Sequence, residues 1–306
     1  MGALDGRVAI ITGAGRGLGR EHALLFAAEG ARVVVNDLGG DAQGGGGDPT
    51  PAQQTVEDIR AAGGEAVVNG DDVATWEGAQ RLVEQAIEAF GDLHVLVNNA
   101  GILRDRVAVN MSEEEWDVVV DVHLKGHFAT AHFAAAYWRE QAKTGADVNA
   151  AMVHTTSTSG LFSNAGQSNY GAAKSGIATL SQILAKELTR YGVRSNTIAP
   201  AARTRLTLAT PGLDEGMRAP EDGTFDEFDP ANISPLVAYL STADCPFTGE
   251  TFLVVGGLVQ RVQSWLLAES IERDSRWTIA DLAANADRLA STVHTEPGFM
   301  GFPRLV

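Results

Sequence analysis

Val8-Ala9-Ile10-Ile11-Thr12-Gly13-Ala14-Gly15-Arg16-Gly17-Leu18-Gly19 decides the fold of this chain. A short apolar run with β-branched residues reads as a buried strand. Glycines follow at once, and Glu21 to Gly30 then has helical spacing with a glycine stop. Strand, glycine turn and helix are the context in which a dinucleotide phosphate meets free backbone N–H groups at a helix start. Gly13, Arg16, Gly17, Leu18 and Gly19 are the residues expected along the pyrophosphate. Ala31 to Asp37 reads as a second strand that ends in an acid, eighteen residues after Gly19. An acid there accepts hydrogen bonds from ribose hydroxyls and repels a 2′-phosphate, which favours NAD over NADP. Arg16 pulls mildly the other way.

Outward from that unit the pattern keeps alternating. Strands are expected at 65–73, 93–97, 151–156, 194–198 and 251–255, with helices at 51–62, 75–90, 113–142 and 233–242, and one carrying Tyr170 and Lys174 that runs to about Tyr191. Alternation with buried apolar strands predicts an α/β, doubly wound, seven-stranded parallel sheet in a single-domain Rossmann fold over residues 1–258. Ligands then bind at the strands' C-terminal ends. A glycine-rich loop at 38–50 and a Pro-, Gly- and acid-rich loop at 201–231 interrupt the alternation, and the second is expected to close over substrate. Residues 259–306 are expected to form a helical extension, with helices at 259–273 and 279–290. Two roles are open to it: covering the substrate pocket or docking on a second subunit.

Tyr170 and Lys174 lie four residues apart on a predicted helix, so they share a face. An ammonium beside a phenol lowers its pKa, and a tyrosine so tuned acts as a general base near neutral pH. Ser157, thirteen residues before the tyrosine, can hold the substrate oxygen.

Composition sets further bounds. The 306 residues carry a formal net charge of −16, a poor match to nucleic acid or an anionic membrane. The single cysteine excludes an internal disulfide and points to a reducing compartment. No Cys/His spacing suggests a metal, and no apolar run is long enough to span a membrane. The first strand begins too early to leave room for a signal peptide, and Pro303-Arg304-Leu305-Val306 is no peroxisomal address. A cytoplasmic location is the expectation.

Together these residues resemble the classical short-chain dehydrogenase/reductase family. Thr12-Gly13-x-x-x-Gly17-x-Gly19 is similar to its cofactor loop, Asp72-Val73 to its adenine pair and Asn98-Asn99-Ala100-Gly101 to its sheet-stabilising motif. Ser157, Tyr170 and Lys174 resemble its catalytic residues. Within the family, Asn36–Asp41, Asn98–Arg106, Gly166–Tyr170 and Asn196–Pro200 look like the (3R)-hydroxyacyl-CoA dehydrogenase domains of type 2 multifunctional enzymes, also called type 4 17β-hydroxysteroid dehydrogenases.

The resemblance implies NAD-dependent oxidation of a 3-hydroxyacyl-CoA bearing a fatty acyl or steroid side chain. Cofactor contacts are implied for Asn99, Ala100, Gly101, Pro200 and Thr204, and for Tyr170 and Lys174 at the nicotinamide ribose. Arg203, Arg205 and Arg218 are candidates for CoA phosphates. His123 stands where the broad family has an asparagine whose carbonyl steadies a relay water. Ala201 stands where a glycine is usual, and is tolerated if its φ is negative. The family implies a homodimer or homotetramer through the helices near 113–142 and 170–190. The rival substrates are free hydroxysteroids or other secondary alcohols. A 3-oxoacyl reductase and a catalytically inactive NAD-binding protein are further alternatives.

Overall fold

The computed structural model describes residues 2–40, 45–46, 50–208, 216–263, 267, 269–289, 296–297 and 303–304. Two compact units are present, Met1–Val262 and Gln263–Val306.

In the first unit, β1 (Val8–Thr12), β2 (Arg32–Asn36), β3 (Glu65–Asn69), β4 (Val95–Asn98), β5 (Ala150–Thr155), β6 (Val193–Ala201) and β7 (Thr251–Val255) are parallel neighbours in the order β3-β2-β1-β4-β5-β6-β7. The chain therefore winds outward in two directions from β1. The crevice between the ends of β1 and β4 is the switch point of such a sheet.

Alternate strand residues point to opposite faces. Ile11, Val33, Val35 and Val97 pack on one face with Phe26 of α1 (Gly17–Ala28), Ile59 of α2 (Thr50–Ala61) and Val237 of α9 (Ser234–Leu240). Ile10, Val34, Leu96 and Met152 pack on the other. Their partners are Leu82 of α3 (Trp76–Phe90), Trp138 of α5 (Gly126–Lys143) and Leu184 of α7 (Ser168–Leu188). The expected helix at 113–142 consists of α4 (Glu113–Val120) and α5 joined by a π-helical turn, Asp121–Lys125, that contains His123. Such turns are rare and frequently sit at functional sites. Two short helices complete this unit: α6 (Thr158–Phe162), which begins directly after Ser157, and α8 (Arg205–Leu208).

The sheet has eight strands rather than seven. β8 (Leu258–Val262) runs antiparallel to β7, with Val255 opposite Leu258. The two residues between them are Gly256-Gly257, and Gly256 adopts φ 49°. Paired glycines suit a two-residue hairpin turn, which folds the chain back on β7 and overrides the helix expected from Val259. No helix is present among the described residues of 259–273.

The second unit holds α10 (Ile279–Ala284), opened by a Thr278/Asp281 capping box, then α11 (Ala286–Leu289). A two-residue antiparallel pair, β9 (Glu296–Pro297) with β10 (Pro303–Arg304), completes it. Much of the 38–50 loop, residues 209–215 of the 201–231 loop and Ala290 of the expected second tail helix lie outside the described residues. Ala201 sits in β6 without a positive φ, so its Cβ is accommodated.

Candidate active site

The glycine loop is built by close backbone approach. A Cβ on Gly19 would lie 2.1 Å from the Gly13 carbonyl oxygen, and one on Gly13, at φ +64°, 2.9 Å from Ala100 Cα. The loop is also tied to the end of β4. Thr12 Oγ1 accepts the N–H groups of Asn99 (2.9 Å) and Ala100 (3.0 Å). Asn99 Nδ2 donates to the carbonyls of Thr12 (3.0 Å) and Gly13 (3.3 Å). The side chain expected at a ribose thus also holds the loop in place.

Asp37 follows β2. Its carboxylate accepts Gly15 N–H at 2.8 Å and Gly39 N–H at 2.7 Å, which fixes it beside the loop. Asp72 is likewise oriented, accepting Ala74 N–H at 2.9 Å.

A cavity of about 860 Å³ runs along these elements. Gly13, Arg16, Gly17, Leu18, Asp37, Asp72, Val73, Asn99, Ala100, Gly101, Ile102 and Thr204 all line it. A cavity with a glycine-floored helix start and an acid at the second strand fits a dinucleotide. Gly19, Pro200, Ser157, Tyr170 and Lys174 are not in its lining. The catalytic candidates connect to it through Ile102 and His123. His123 Nε2 meets the Ile102 backbone at N (3.1 Å) and O (2.8 Å). Its ring stands edge-on to Tyr170, with centroids 5.1 Å apart. A Cβ on Gly101 would lie 2.4 Å from His123 Cε1, so only glycine admits this imidazole.

Ser157, Tyr170 and Lys174 do come together. Ser157 lies beside the Tyr170 phenol, and its hydroxyl favours the ionised form. Lys174 Nζ lies 5.5 Å from the tyrosine ring centroid and donates to Thr155 O at 2.6 Å. Thr156 Oγ1 donates to Lys174 O at 2.5 Å, pinning α7 to the end of β5. Asn169, buried, accepts Tyr170 N–H through its side-chain oxygen and donates to the carbonyls of Arg104 (3.0 Å) and Glu115 (2.8 Å).

The electrostatics differ from the expected tuning. Burial pushes Tyr170 up to about 12, and the Asp105 carboxylate adds to this, with only the Ser157 hydroxyl opposing. Burial brings Lys174 down to about 7. The lysine therefore does not by itself lower the phenol: both groups sit in a low-dielectric interior that disfavours either charge. His123 is pushed well below the ordinary imidazole value by burial and by Lys174, so it is neutral.

Some residues at the site have no sequence signal. His127 and His154 are buried, stack at 5.5 Å and are held below the ordinary imidazole value by burial, with Lys174 adding to the shift. Asp105 accepts from Gln167 Nε2 at 2.8 Å, and Gln167 Oε1 accepts from Ser159 at 2.7 Å, a chain of side chains alongside Tyr170. Arg203, one candidate for a CoA phosphate, is ion-paired with Asp226 and donates to Met217 O at 2.9 Å, so its charge is already answered. Arg218 is exposed. No group of metal-ligating side chains and no helix long and apolar enough to cross a membrane is found among the described residues.

Fold, cavity and side-chain trio define an oxidoreductase with a nicotinamide-type site. The profile of the family described as short chain dehydrogenase matches residues 7–210, and the chain belongs to that family, whose members use nicotinamide cofactors. It is 46% identical over 245 residues to peroxisomal multifunctional enzyme type 2 of Drosophila melanogaster, covering 80% of this chain but 38% of that protein. It is 40% identical to hydroxyacyl-CoA dehydrogenase ChsB1 of Mycobacterium tuberculosis, covering 92% of this chain and 87% of that one. The crystal structure of a short chain dehydrogenase from Mycobacterium avium superposes with a TM-score of 0.83 at 49% identity, covering 94% of this chain and 96% of that chain.

Proposed function

We propose that this enzyme oxidises the hydroxyl of a 3-hydroxyacyl-CoA, with a fatty acyl or steroid side chain, using NAD⁺. The observation that carries the chemistry is the gathering of Ser157 and buried Lys174 around Tyr170 at the strand ends. The substrate class rests on likeness to proteins whose names state it. The preference for NAD rests on Asp37, whose fixed carboxylate opposes a 2′-phosphate.

NAD⁺, when bound, supplies the hydride acceptor and a positive charge beside the phenol. Tyr170 takes the substrate's hydroxyl proton as the carbinol C–H bond breaks. Ser157 donates to the oxygen as it becomes a carbonyl. Lys174, anchored on Thr155 O, holds the nicotinamide-ribose side of the site and lends Tyr170 positive charge while protonated. His123, neutral and edge-on, fixes the ring that must move the proton.

The test is NADH formation at 340 nm from NAD⁺ and racemic 3-hydroxyacyl-CoA, beside a free steroid alcohol and an NADP⁺ control. Rapid NADH that stops at about half the thioester is expected, as one enantiomer is consumed. Turnover of the steroid alone would move the substrate to free alcohols and leave the trio's role intact.

A further inference from the structure

Two guanidiniums meet on one carbonyl at the edge of the cavity. Arg16 Nη1 donates to Gly40 O at 3.4 Å, and Arg205 Nη1 donates to the same oxygen at 3.0 Å. Neither forms an ion pair with a described residue, although the chain carries a net charge of −16. Two guanidiniums, each with five N–H donors, thus share one neutral acceptor at the cavity edge.

Their position narrows the ligand. Arg16, Gly17, Thr204 and Arg205 all line the cavity, and a Cβ on Gly17 would lie 3.7 Å from Thr204, so the two segments adjoin at its wall. Asp37, fixed through Gly15 and Gly39, marks the adenosine-ribose end. At the other side Ile102 lines the cavity and, through His123, leads to Tyr170. Between a ribose and a nicotinamide lies the diphosphate of a dinucleotide.

Resting on the cofactor assignment above, we propose that Arg205 is a second cationic ligand of the cofactor's diphosphate, closing with Arg16 over the cleft from the substrate-loop side. Guanidinium binds phosphate oxygens through paired, charge-assisted hydrogen bonds. Arg205 is exposed and donates to one backbone carbonyl, so its loss leaves the fold intact. This gives it a cofactor role in place of contact with a CoA phosphate.

The experiment is isothermal titration of the full chain, wild type beside Arg205→Gln and Arg205→Lys, with ADP-ribose and with 2′-phospho-ADP-ribose. Thermal melts serve as a check that the variants remain folded. The glutamine variant is expected to weaken both ligands by the same factor, about tenfold or more for one charge-assisted contact, with partial recovery in the lysine variant. Unchanged binding of both ligands by Arg205→Gln would overturn the proposal. Weakening confined to the 2′-phosphorylated ligand would also overturn it, because the phosphate read would then be the 2′ group. Failure of the wild type to bind either ligand would overturn the cofactor assignment itself, an outcome distinct from the other two.

Discussion

The two halves of the site are made differently. The cofactor half is backbone work: glycines packed at contact distance, a threonine hydroxyl accepting two N–H groups, and an aspartate fixed by two more. The catalytic half is built from titratable side chains in a dry interior. Tyr170 is held at about 12 and Lys174 at about 7, and the buried atoms His123 Nδ1, His127 Nε2 and His154 Nε2 lack partners among the described residues. A backbone-made site is finished before its ligand arrives. A site of buried ionisable groups carries a stability cost that the rest of the fold must offset.

That contrast predicts opposite responses to substitution. The largest effect belongs to the backbone half. Gly19→Val places its Cβ on the Gly13 carbonyl, a clash that no rotamer relieves. It should cost about 1–3 kcal/mol or more and abolish NADH binding, read by a thermal melt and a fluorescence titration. A valine variant that binds NADH normally would break the comparison.

Next comes Lys174→Met, which should stabilise. The lysine's folded value of about 7 lies below its ordinary 10.5, so between them the unfolded chain binds more protons and wild-type stability rises with pH. Below about 7 the full cost of the buried ammonium is present. The methionine variant should therefore melt above wild type at pH 7, with the gap closing as pH approaches 10.5. A gap that does not change with pH would show that Lys174 is not charged and desolvated in the fold.

The smallest effect is Asp105→Asn. The carboxylate raises the phenol, so removing its charge should lower Tyr170. The acid limb of the pH profile of kcat/KM for alcohol oxidation should then move to lower pH. An altered rate with an unmoved limb would assign Asp105 only to holding Gln167.

The same division explains what could be read from the sequence. Local spacing reports local structure, so the strand-glycine-helix start, the strand-helix alternation and the i, i+4 spacing of Tyr170 and Lys174 were legible. β8 was not, because its apolar residues suit a helix as well as a strand until Gly256-Gly257 turn them back on β7. Nor was the upward shift of Tyr170. A neighbouring ammonium is visible in sequence, but burial of both groups is a tertiary property, and here burial wins. His127 and His154 are far apart along the chain and meet only because α5 lies over β5.

The most direct test of the catalytic half compares Tyr170→Phe with wild type, measuring NADH formation at 340 nm from 3-hydroxyacyl-CoA together with NADH binding by fluorescence. Loss of general-base catalysis predicts turnover lower by about 10²–10⁴-fold or more, with the affinity for NADH retained. Turnover like wild type in that variant would contradict the assignment of Tyr170 as the proton acceptor.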